Sequence, residues 1–197
     1  MPTQQQLDNL YRLITPAAVT TELRTGIPAD FTSAQCILES NWLQICPNNN
    51  CFGIKEYPGA PARQILMTRE WMNDRELAWF LHLGDGRKAE LVDSTTPPRA
   101  DGRRQYRVWD WFAAFNSLED CFAKRAALLV MGPYRIALTS YAQTGNVEDY
   151  TRGVAKIYAT APNYADILLG IMKQHDVQEA IYDARQQLAR QAKLDHA

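Results

Sequence analysis

GIPADFTSAQCILESNWLQICPNNNCFGIK, residues 26–55, is the part of the chain on which the prediction of its architecture depends. Phe31, Ala34 and Leu38 recur in it at helical spacing, which predicts a short helix with a buried face. Residues 46–51, CPNNNC, follow that helix and are typical of a turn. We therefore expect a buried helix that leads into a tight loop.

The start of this helix and the segment after the loop carry signals of their own. Thr32 and Gln35 stand three residues apart, as in a capping box, and Pro28 with Asp30 suits a first turn. Residues 52–55, FGIK, have the composition of the beginning of a strand. The stretch therefore predicts the order helix, loop, strand.

Glu39 lies in the last turn of the predicted helix, between apolar Leu38 and aromatic Trp42. A carboxyl group with such neighbours can serve as a general acid. The alternative is that it is a solvated surface charge, which is the commoner fate of a glutamate near a helix end. The local pattern leaves both interpretations open.

Two blocks of sequence, far apart in the chain, narrow this choice. The first consists of IP at 27–28, AQ at 34–35, ILES at 37–40 and NNCFGIK at 49–55. The second is YATAPNYAD at 158–166, with Ala161 at the place of a usual Asp. In this order the blocks resemble glycoside hydrolase family 73, and the resemblance covers residues 16–176 with a divergent middle. Members of that family are N-acetylglucosaminidases that cut peptidoglycan, some of them small type VI secretion effectors.

The resemblance implies a mainly α (α+β) fold: a lysozyme-like helical domain with a small irregular β lobe flanking the cleft. Length and composition fit a single catalytic domain over residues 1–197, and the spacing of apolar residues at 177–195 predicts a helical tail. The resemblance also assigns Glu39 the role of general acid, with no cofactor and no metal. The expected reaction is cleavage of the β-1,4 bond between N-acetylglucosamine and N-acetylmuramic acid.

A second carboxylate is expected, because glycosidases commonly use two. The family places a Glu after a Thr-Thr pair, whereas here Thr95-Thr96 is followed by Pro97. Glu90, Asp93 and Asp101 lie nearby, and among them we favour Asp93. A solvated hairpin acid is the alternative for each, and the substrate's own acetamido oxygen could replace the second group.

The resemblance further assigns substrate contacts. Asn50 and Phe52 belong to the first block, and Tyr158 and Tyr164 to the second, where a tyrosine lines the family's cleft. We expect Tyr158 to be catalytic and the other three to bind substrate. Trp109, in a block resembling the family's Phe-Arg-x-Tyr strand, could stack on a sugar. The alternatives are a core role for the tryptophan and, for Tyr164, a hydroxyl that caps a backbone group.

Four cysteines allow three complete disulfide pairings. Cys46 and Cys51 are placed to close the Asn-rich loop, which suits an oxidising compartment. Cys36 and Cys121 lie among apolar residues and are expected to be small buried side chains. A zinc site formed by the loop cysteines with His82 or His175 matches no usual ligand spacing.

The composition bounds the class of protein. A chain of 197 residues with 46% hydrophobic content can form one globular domain with a sizeable core. A net charge of −1 offers little attraction to nucleic acid, so we expect no such partner. We recognise neither a secretory signal nor a membrane span. We therefore expect export by a specialised secretion system. The resemblance to small type VI secretion effectors implies delivery to the periplasm of a target cell and a cognate immunity protein that blocks the cleft.

The remaining elements follow from periodicity. The first helix should bury the stripe Leu7, Leu10, Tyr11 and Ile14. A second helix should begin at Pro16, bury Val19 and Leu23, and end at Gly26. Short strands are expected around 65–67 and 89–91, and the resemblance implies a further strand at 106–112. Helices are expected at 74–82, 117–132, 134–143, 147–158, 162–173 and 177–195.

Three alternative functions remain open. A lytic transglycosylase uses this fold class with a single Glu and releases an anhydro-sugar. A peptidoglycan-binding module would keep the groove without the chemistry, although the full motif around Glu39 argues against it. A Cys/His amidase would pair Cys36 or Cys51 with His82 or His175, but neither cysteine lies in a recognisable motif.

Overall fold

A computed structural model describes residues 3–57, 59–159 and 161–195 of the chain. Thr160, which belongs to the second sequence block, and the side chain of His175 lie outside the described residues. The described chain divides into two compact units, one formed by residues up to Phe52 and from Phe115 onward, the other by Gly53–Ala114. The first unit is helical, and the second contains a sheet. The predicted mainly helical, lysozyme-like fold with a small β lobe is confirmed.

The order of the helices and strands is α1 (Gln4–Thr25), α2 (Ala29–Glu39), β1 (Arg63–Met72), α3 (Asp74–His82), β2 (Lys88–Leu91), β3 (Arg104–Ala113), α4 (Leu118–Leu129), α5 (Tyr134–Thr144), α6 (Val147–Tyr158), α7 (Tyr164–Met172) and α8 (His175–Leu194). None of the described helices is both long enough and apolar enough to cross a membrane.

Helix α1 corrects one prediction, because Pro16 lies inside it and opens no second helix. A proline in a helix interior costs about 3 kcal/mol, since it removes a hydrogen bond and crowds the carbonyl four residues earlier. The helix buries side chains on both sides of it, including Ile14 before and Val19 after. Burial of a Val side chain contributes about 1.5–3 kcal/mol, so this packing is large enough to offset the proline.

The end of α1 is partly as predicted. Gly26 caps the helix in the left-handed conformation, with φ 75°, and its N–H donates to the Glu22 carbonyl. Leu23 was expected to be buried with Val19, but it is 75% exposed. The buried face passes through Thr21 at this end, and Leu23 lies about 200° further around the helix.

Helix α2 is buried along most of its length, as its apolar spacing predicted, with Phe31 and Ala34 fully inside. The predicted capping box is wrong, because the helix begins at Ala29 after Pro28. The Thr32 hydroxyl therefore lies within the helix and donates to the Pro28 carbonyl at 3.1 Å. A capping residue must lie before the first turn, which Thr32 does not.

The loop after α2 contains a short 3-10 turn at Pro47–Asn49 and is closed by the predicted disulfide between Cys46 and Cys51. Cys36 and Cys121 are free and buried, also as predicted. The strand expected at 52–55 is wrong. Gly53 has φ 59°, outside the extended region, and Lys55 forms only an isolated bridge with Phe112.

The sheet unit confirms the predicted strands and the helix at 74–82. The strands are antiparallel in the order β1-β3-β2. Tyr106 and Val108 of β3 pack with Phe80 of α3 to form this unit's own small core. Asn73 and Glu76 form a reciprocal capping box that starts α3.

The later helices lie where the sequence predicts them, but several boundaries differ: α4 ends at Leu129 rather than at 132, and α8 begins at His175 rather than at 177. Ser117 caps α4 by accepting from the Asp120 N–H, as its spacing indicated. Helix α7 begins at Tyr164, so the prediction that Pro162 sits in its first turn is wrong; the Tyr164 N–H instead closes a turn onto the Ala161 carbonyl. Helix α8 packs on the helical unit as predicted, and its Arg185 pairs with Glu22 of α1.

Candidate active site

Glu39 is the last residue of α2, so its side chain lies at the point where the helix ends and the chain changes direction. The Ser40 hydroxyl fixes this turn: it donates to the Cys36 carbonyl at 2.6 Å and accepts from the Leu43 N–H at 2.9 Å. Asn41, Trp42 and Leu43 then adopt left-handed conformations, with φ of 47°, 60° and 59°. Each such residue costs about 1–2 kcal/mol, and strain of this kind clusters at functional sites.

Two tyrosines face the carboxylate of Glu39. The Tyr164 hydroxyl donates to Glu39 Oε1 at 2.7 Å. The Tyr158 ring lies 5.5 Å from the Tyr164 ring. Burial and the carboxylate of Glu39 raise the pKa of Tyr158 to about 12, although the positive charge of Arg125 opposes the change. Both phenols therefore keep their protons at neutral pH.

The pKa of Tyr164 is also raised well above its usual range. Burial is the largest cause, and the charge of Glu39 adds to it, while a hydrogen bond from Gln35 acts in the opposite direction. Tyr164 is thus a permanent hydrogen-bond donor to Glu39. Within the described residues the Tyr164 hydroxyl bonds two side chains, those of Gln35 and Glu39, and caps no backbone group, contrary to the alternative drawn from the sequence.

Two residues behind this pair were not assigned to the site from the sequence. Gln35, interpreted there as part of a capping box, bonds Tyr164, and Arg125 of α4 bonds Gln35. Their signals were present: Gln35 precedes Glu39 by four residues and therefore shares its helix face. Arg125 is a charged residue within an otherwise apolar stripe that includes Phe122 and Leu129.

Asn50 and Phe52 lie in the same unit as Glu39, and both are buried. The Phe52 ring packs edge-on against Phe122 at 5.0 Å, and the Arg125 guanidinium lies 5.9 Å from its centre. The disulfide encloses Asn50, whose N–H donates to the Pro47 carbonyl. Their predicted contact with substrate stays a prediction.

Asp93 and Trp109 belong to the sheet unit. Asp93 accepts hydrogen bonds from the Thr95 N–H at 2.8 Å and from the hydroxyls of Thr95 and Thr96 at 2.7 and 2.5 Å. These bonds, the one from Thr96 first, lower the pKa of Asp93 to about 2. The Lys88 ammonium lies over the Trp109 ring, 4.5 Å from the ring centre. Their functional roles stay predictions.

The other two acids considered with Asp93 form ion pairs in the sheet unit. Glu90 lies 3.6 Å from the Arg107 guanidinium, and Asp101 lies 3.2 Å from that of Arg103. All three candidates are therefore engaged by local partners. The structure of this unit gives none of them the buried, two-tyrosine environment that surrounds Glu39.

The state of the cysteines argues against two alternatives raised by the sequence, a zinc site and a Cys/His amidase. Cys46 and Cys51 are joined to each other, so neither thiol can bind zinc or act as a nucleophile in this state. Cys36 is fully buried, and burial raises the pKa of its thiol far above the reactive range. Across the described ranges, no group of three or more His, Cys, Asp and Glu side chains is placed to hold a metal.

The chain matches the family described as mannosyl-glycoprotein endo-beta-N-acetylglucosaminidase over residues 15–177. Three solved structures illustrate the likeness. The catalytic domain of the autolysin Auto from Listeria monocytogenes is 22% identical, with a TM-score of 0.58, over 91% of this chain and 90% of that one. A peptidoglycan hydrolase from Sphingomonas sp. A1 is 21% identical, with a TM-score of 0.56, over 89% and 94%.

The third is the glycoside hydrolase domain of FlgJ from Salmonella typhimurium, which is 18% identical, with a TM-score of 0.55, over 97% of this chain and 99% of that one. No curated protein sequence matches the chain. At these identities the solved structures establish a shared fold.

Proposed function

Because this chain belongs to the endo-β-N-acetylglucosaminidase family, we propose that it hydrolyses the β-1,4 bond between N-acetylglucosamine and N-acetylmuramic acid in peptidoglycan. Membership makes it a glycoside hydrolase. Peptidoglycan as the substrate is supported by structures of similar fold that are described as an autolysin and a peptidoglycan hydrolase. The observation that carries the proposal is the Glu39 carboxyl group, held by the Tyr164 hydroxyl at 2.7 Å.

In this mechanism Glu39 protonates the departing glycosidic oxygen as positive charge develops on the sugar ring. Tyr164 occupies Oε1 as a donor, so the transferable proton sits on the other oxygen, Oε2. After transfer, the same phenol hydrogen bond stabilises the new carboxylate, since hydrogen bonds to charged acceptors are the stronger ones. Tyr158, the second phenol facing Glu39, completes the proposed catalytic group.

The second group is either Asp93 or the substrate itself. Asp93 already accepts three hydrogen bonds from its own turn, and its pKa of about 2 makes it a weak base. That supports the acetamido oxygen of the substrate as the nucleophile. A lytic transglycosylase remains the competing reaction, because it needs only the single acid.

Digestion of purified peptidoglycan by the wild type and by Glu39→Gln tests the proposal. The substitution is nearly isosteric and removes the proton, so the rate should fall about a hundredfold or more, the usual contribution of a general acid. Mass spectrometry after borohydride reduction should show hydrated products ending in reduced N-acetylglucosamine. Full activity of the variant would remove Glu39 from the chemistry, and products with only anhydro-sugars would identify a transglycosylase.

The proposal extends to biological role. The chain would act as an antibacterial effector, delivered by type VI secretion into the periplasm of a rival cell and blocked in the producer by an immunity protein. The likeness of the sequence to small members of its family with this role supports the idea. So does the Cys46–Cys51 disulfide, a bond that persists in oxidising compartments such as the periplasm.

A further inference from the structure

A continuous line of hydrogen bonds leads from the interior of the helical unit to Glu39. Arg125 Nε donates to Gln35 Oε1 at 3.0 Å, and Gln35 Nε2 donates to the Tyr164 hydroxyl oxygen at 3.0 Å. Tyr164 then donates to Glu39 Oε1 at 2.7 Å. Three helices supply the four side chains: α2 twice, α4 and α7.

The direction of every bond in this line follows from its first member. A guanidinium has only donors, so Arg125 must face the oxygen of the Gln35 amide. The amide nitrogen is thereby turned to Tyr164, whose oxygen has to accept. A phenol has one proton, and with its oxygen engaged by Gln35 that proton points to Glu39.

Burial protects this arrangement from water. Gln35 is 0% exposed, Arg125 5% and Tyr164 8%. Water cannot readily replace one of the bonds, and hydrogen bonds in such surroundings polarise one another. Arg125 also lies over an aromatic neighbour, with its guanidinium carbon 4.3 Å from the centre of the Tyr158 ring. Arg125 therefore contacts the Tyr158 ring directly and is linked to Tyr164 through Gln35.

The placement of Arg125 is costly for stability alone. Its Nη2 is buried and has no hydrogen-bond partner among the residues that the structure describes. Burying a charge costs several kcal/mol unless its geometry and hydrogen bonds compensate. An apolar side chain at this position would fill the space between Phe52 and Tyr158 without that cost.

We propose that Arg125 and Gln35 are positioning residues that fix the orientation of the Tyr164 hydroxyl, and so keep the transferable proton of Glu39 on Oε2. The inference rests on the proposed function, because it assigns these residues to the same acid. Both residues are buried behind Tyr164 rather than exposed to solvent. Both act through Tyr164.

Gln35→Glu tests the direction of the line with little change of shape. The introduced carboxylate can pair with Arg125, so we expect the fold to be kept. A carboxylate has no donor, so it can only accept from the Tyr164 hydroxyl, and the phenol proton then points to residue 35 and no longer to Glu39. We expect kcat to fall about ten- to a hundredfold, the rate equivalent of one hydrogen bond to a charged group, with KM unchanged. The basic limb of the kcat profile should move to higher pH, since the ionised acid has lost a donor.

Ser33→Ala is the matched control on the same helix. Its hydroxyl is buried and has no hydrogen-bond partner within the described part of the chain, so its removal should leave kcat and the pH profile unchanged. A folded Gln35→Glu enzyme with wild-type kcat and an unshifted profile would overturn the inference. An equal loss in Ser33→Ala would also overturn it, because the effect would then be one of packing in α2.

Arg125 provides a second, independent comparison should Gln35→Glu fail to fold. Arg125→Met keeps the side-chain length but lets the Gln35 amide rotate, so kcat should fall. Arg125→Lys restores a group that only donates and should recover most of that loss. Equal kcat in the two Arg125 variants would contradict the inference.

Glu39→Gln separates this inference from the proposed function. If that variant is inactive while Gln35→Glu and both Arg125 variants match the wild type, the positioning role fails and the glucosaminidase reaction stands. If Glu39→Gln is fully active, the proposed function fails, and the positioning role fails with it.

Discussion

At the scale of single residues, the hydrogen-bond partners of Glu39 in the helical unit differ from those of the three acids considered in the sheet unit. Glu39 accepts from a buried phenol whose own proton cannot leave at neutral pH. Asp93 accepts from three groups of an exposed turn. The three hydrogen bonds to Asp93 stabilise its charged form, which makes it a poor proton acceptor.

Asp93→Asn is therefore expected to change kcat by less than about threefold, far below the hundredfold contribution of a working general base. In the proposed mechanism the acetamido oxygen attacks first and water second, so the product should keep the anomeric configuration of the substrate. Proton NMR of the nascent reducing end measures this. A hundredfold loss, together with an inverted product, would instead establish Asp93 as the base that activates water.

At the scale of elements, β3 carries a buried acid that stabilises the sheet unit. Asp110 accepts from Arg87 Nε at 2.7 Å and from the Trp111 N–H at 2.8 Å, and lies 3.2 Å from the Lys55 ammonium. Burial alone would raise the pKa of Asp110, but the hydrogen bonds from Arg87, Trp111 and Lys55 outweigh it and lower the pKa. The fold thus gains stability from the ionised form.

The sign of the pH dependence follows from this lowered pKa. The contribution is fully present above the unfolded Asp value of about 3.9 and is lost as pH falls through the lower folded value. Asp110→Asn should lower the free energy of unfolding at pH 7 by about 3 kcal/mol, because Arg87 stays buried without its anion. Its stability should also decline less steeply than that of the wild type below pH about 4.

Urea denaturation between pH 7 and pH 3 measures both effects. Parallel acid limbs in the wild type and in Asp110→Asn would show that this carboxylate contributes nothing to the pH dependence. An unchanged free energy of unfolding at pH 7 would show that the Arg87 pair adds no net stability.

At the scale of the whole molecule, the compartment of action can be tested directly. Fused to a periplasmic signal and expressed in a Gram-negative host, the chain should lyse the cells, because peptidoglycan lies in that compartment. Without the signal it should be tolerated. Glu39→Gln, expressed to the same level in the periplasm, is the control for toxicity that is independent of catalysis, and equal lysis by it would contradict the effector proposal.

The sequence anticipated the features that depend on near neighbours. The spacing of Phe31 and Ala34 indicated the buried face of α2, and the residues around Glu39 placed it in the last turn of that helix. The strands, α3 and the bounds of α5 and α6 were likewise readable. Where a local signal and tertiary packing favoured different helix boundaries, the packing decided the boundary: Pro16 lies inside a helix, and Thr32 lies past the start of one.

The sequence by itself thus determined the buried helix α2, the place of Glu39 at its end and the closing of the following loop by two cysteines, because each depends on residues a few positions apart. Only the tertiary structure decided what surrounds the acid. Tyr164 lies 125 residues from Glu39 and 129 from Gln35, and Arg125 lies 90 from Gln35. Hydrogen bonds across such separations depend on how α2, α4 and α7 pack, and no local pattern encodes their direction.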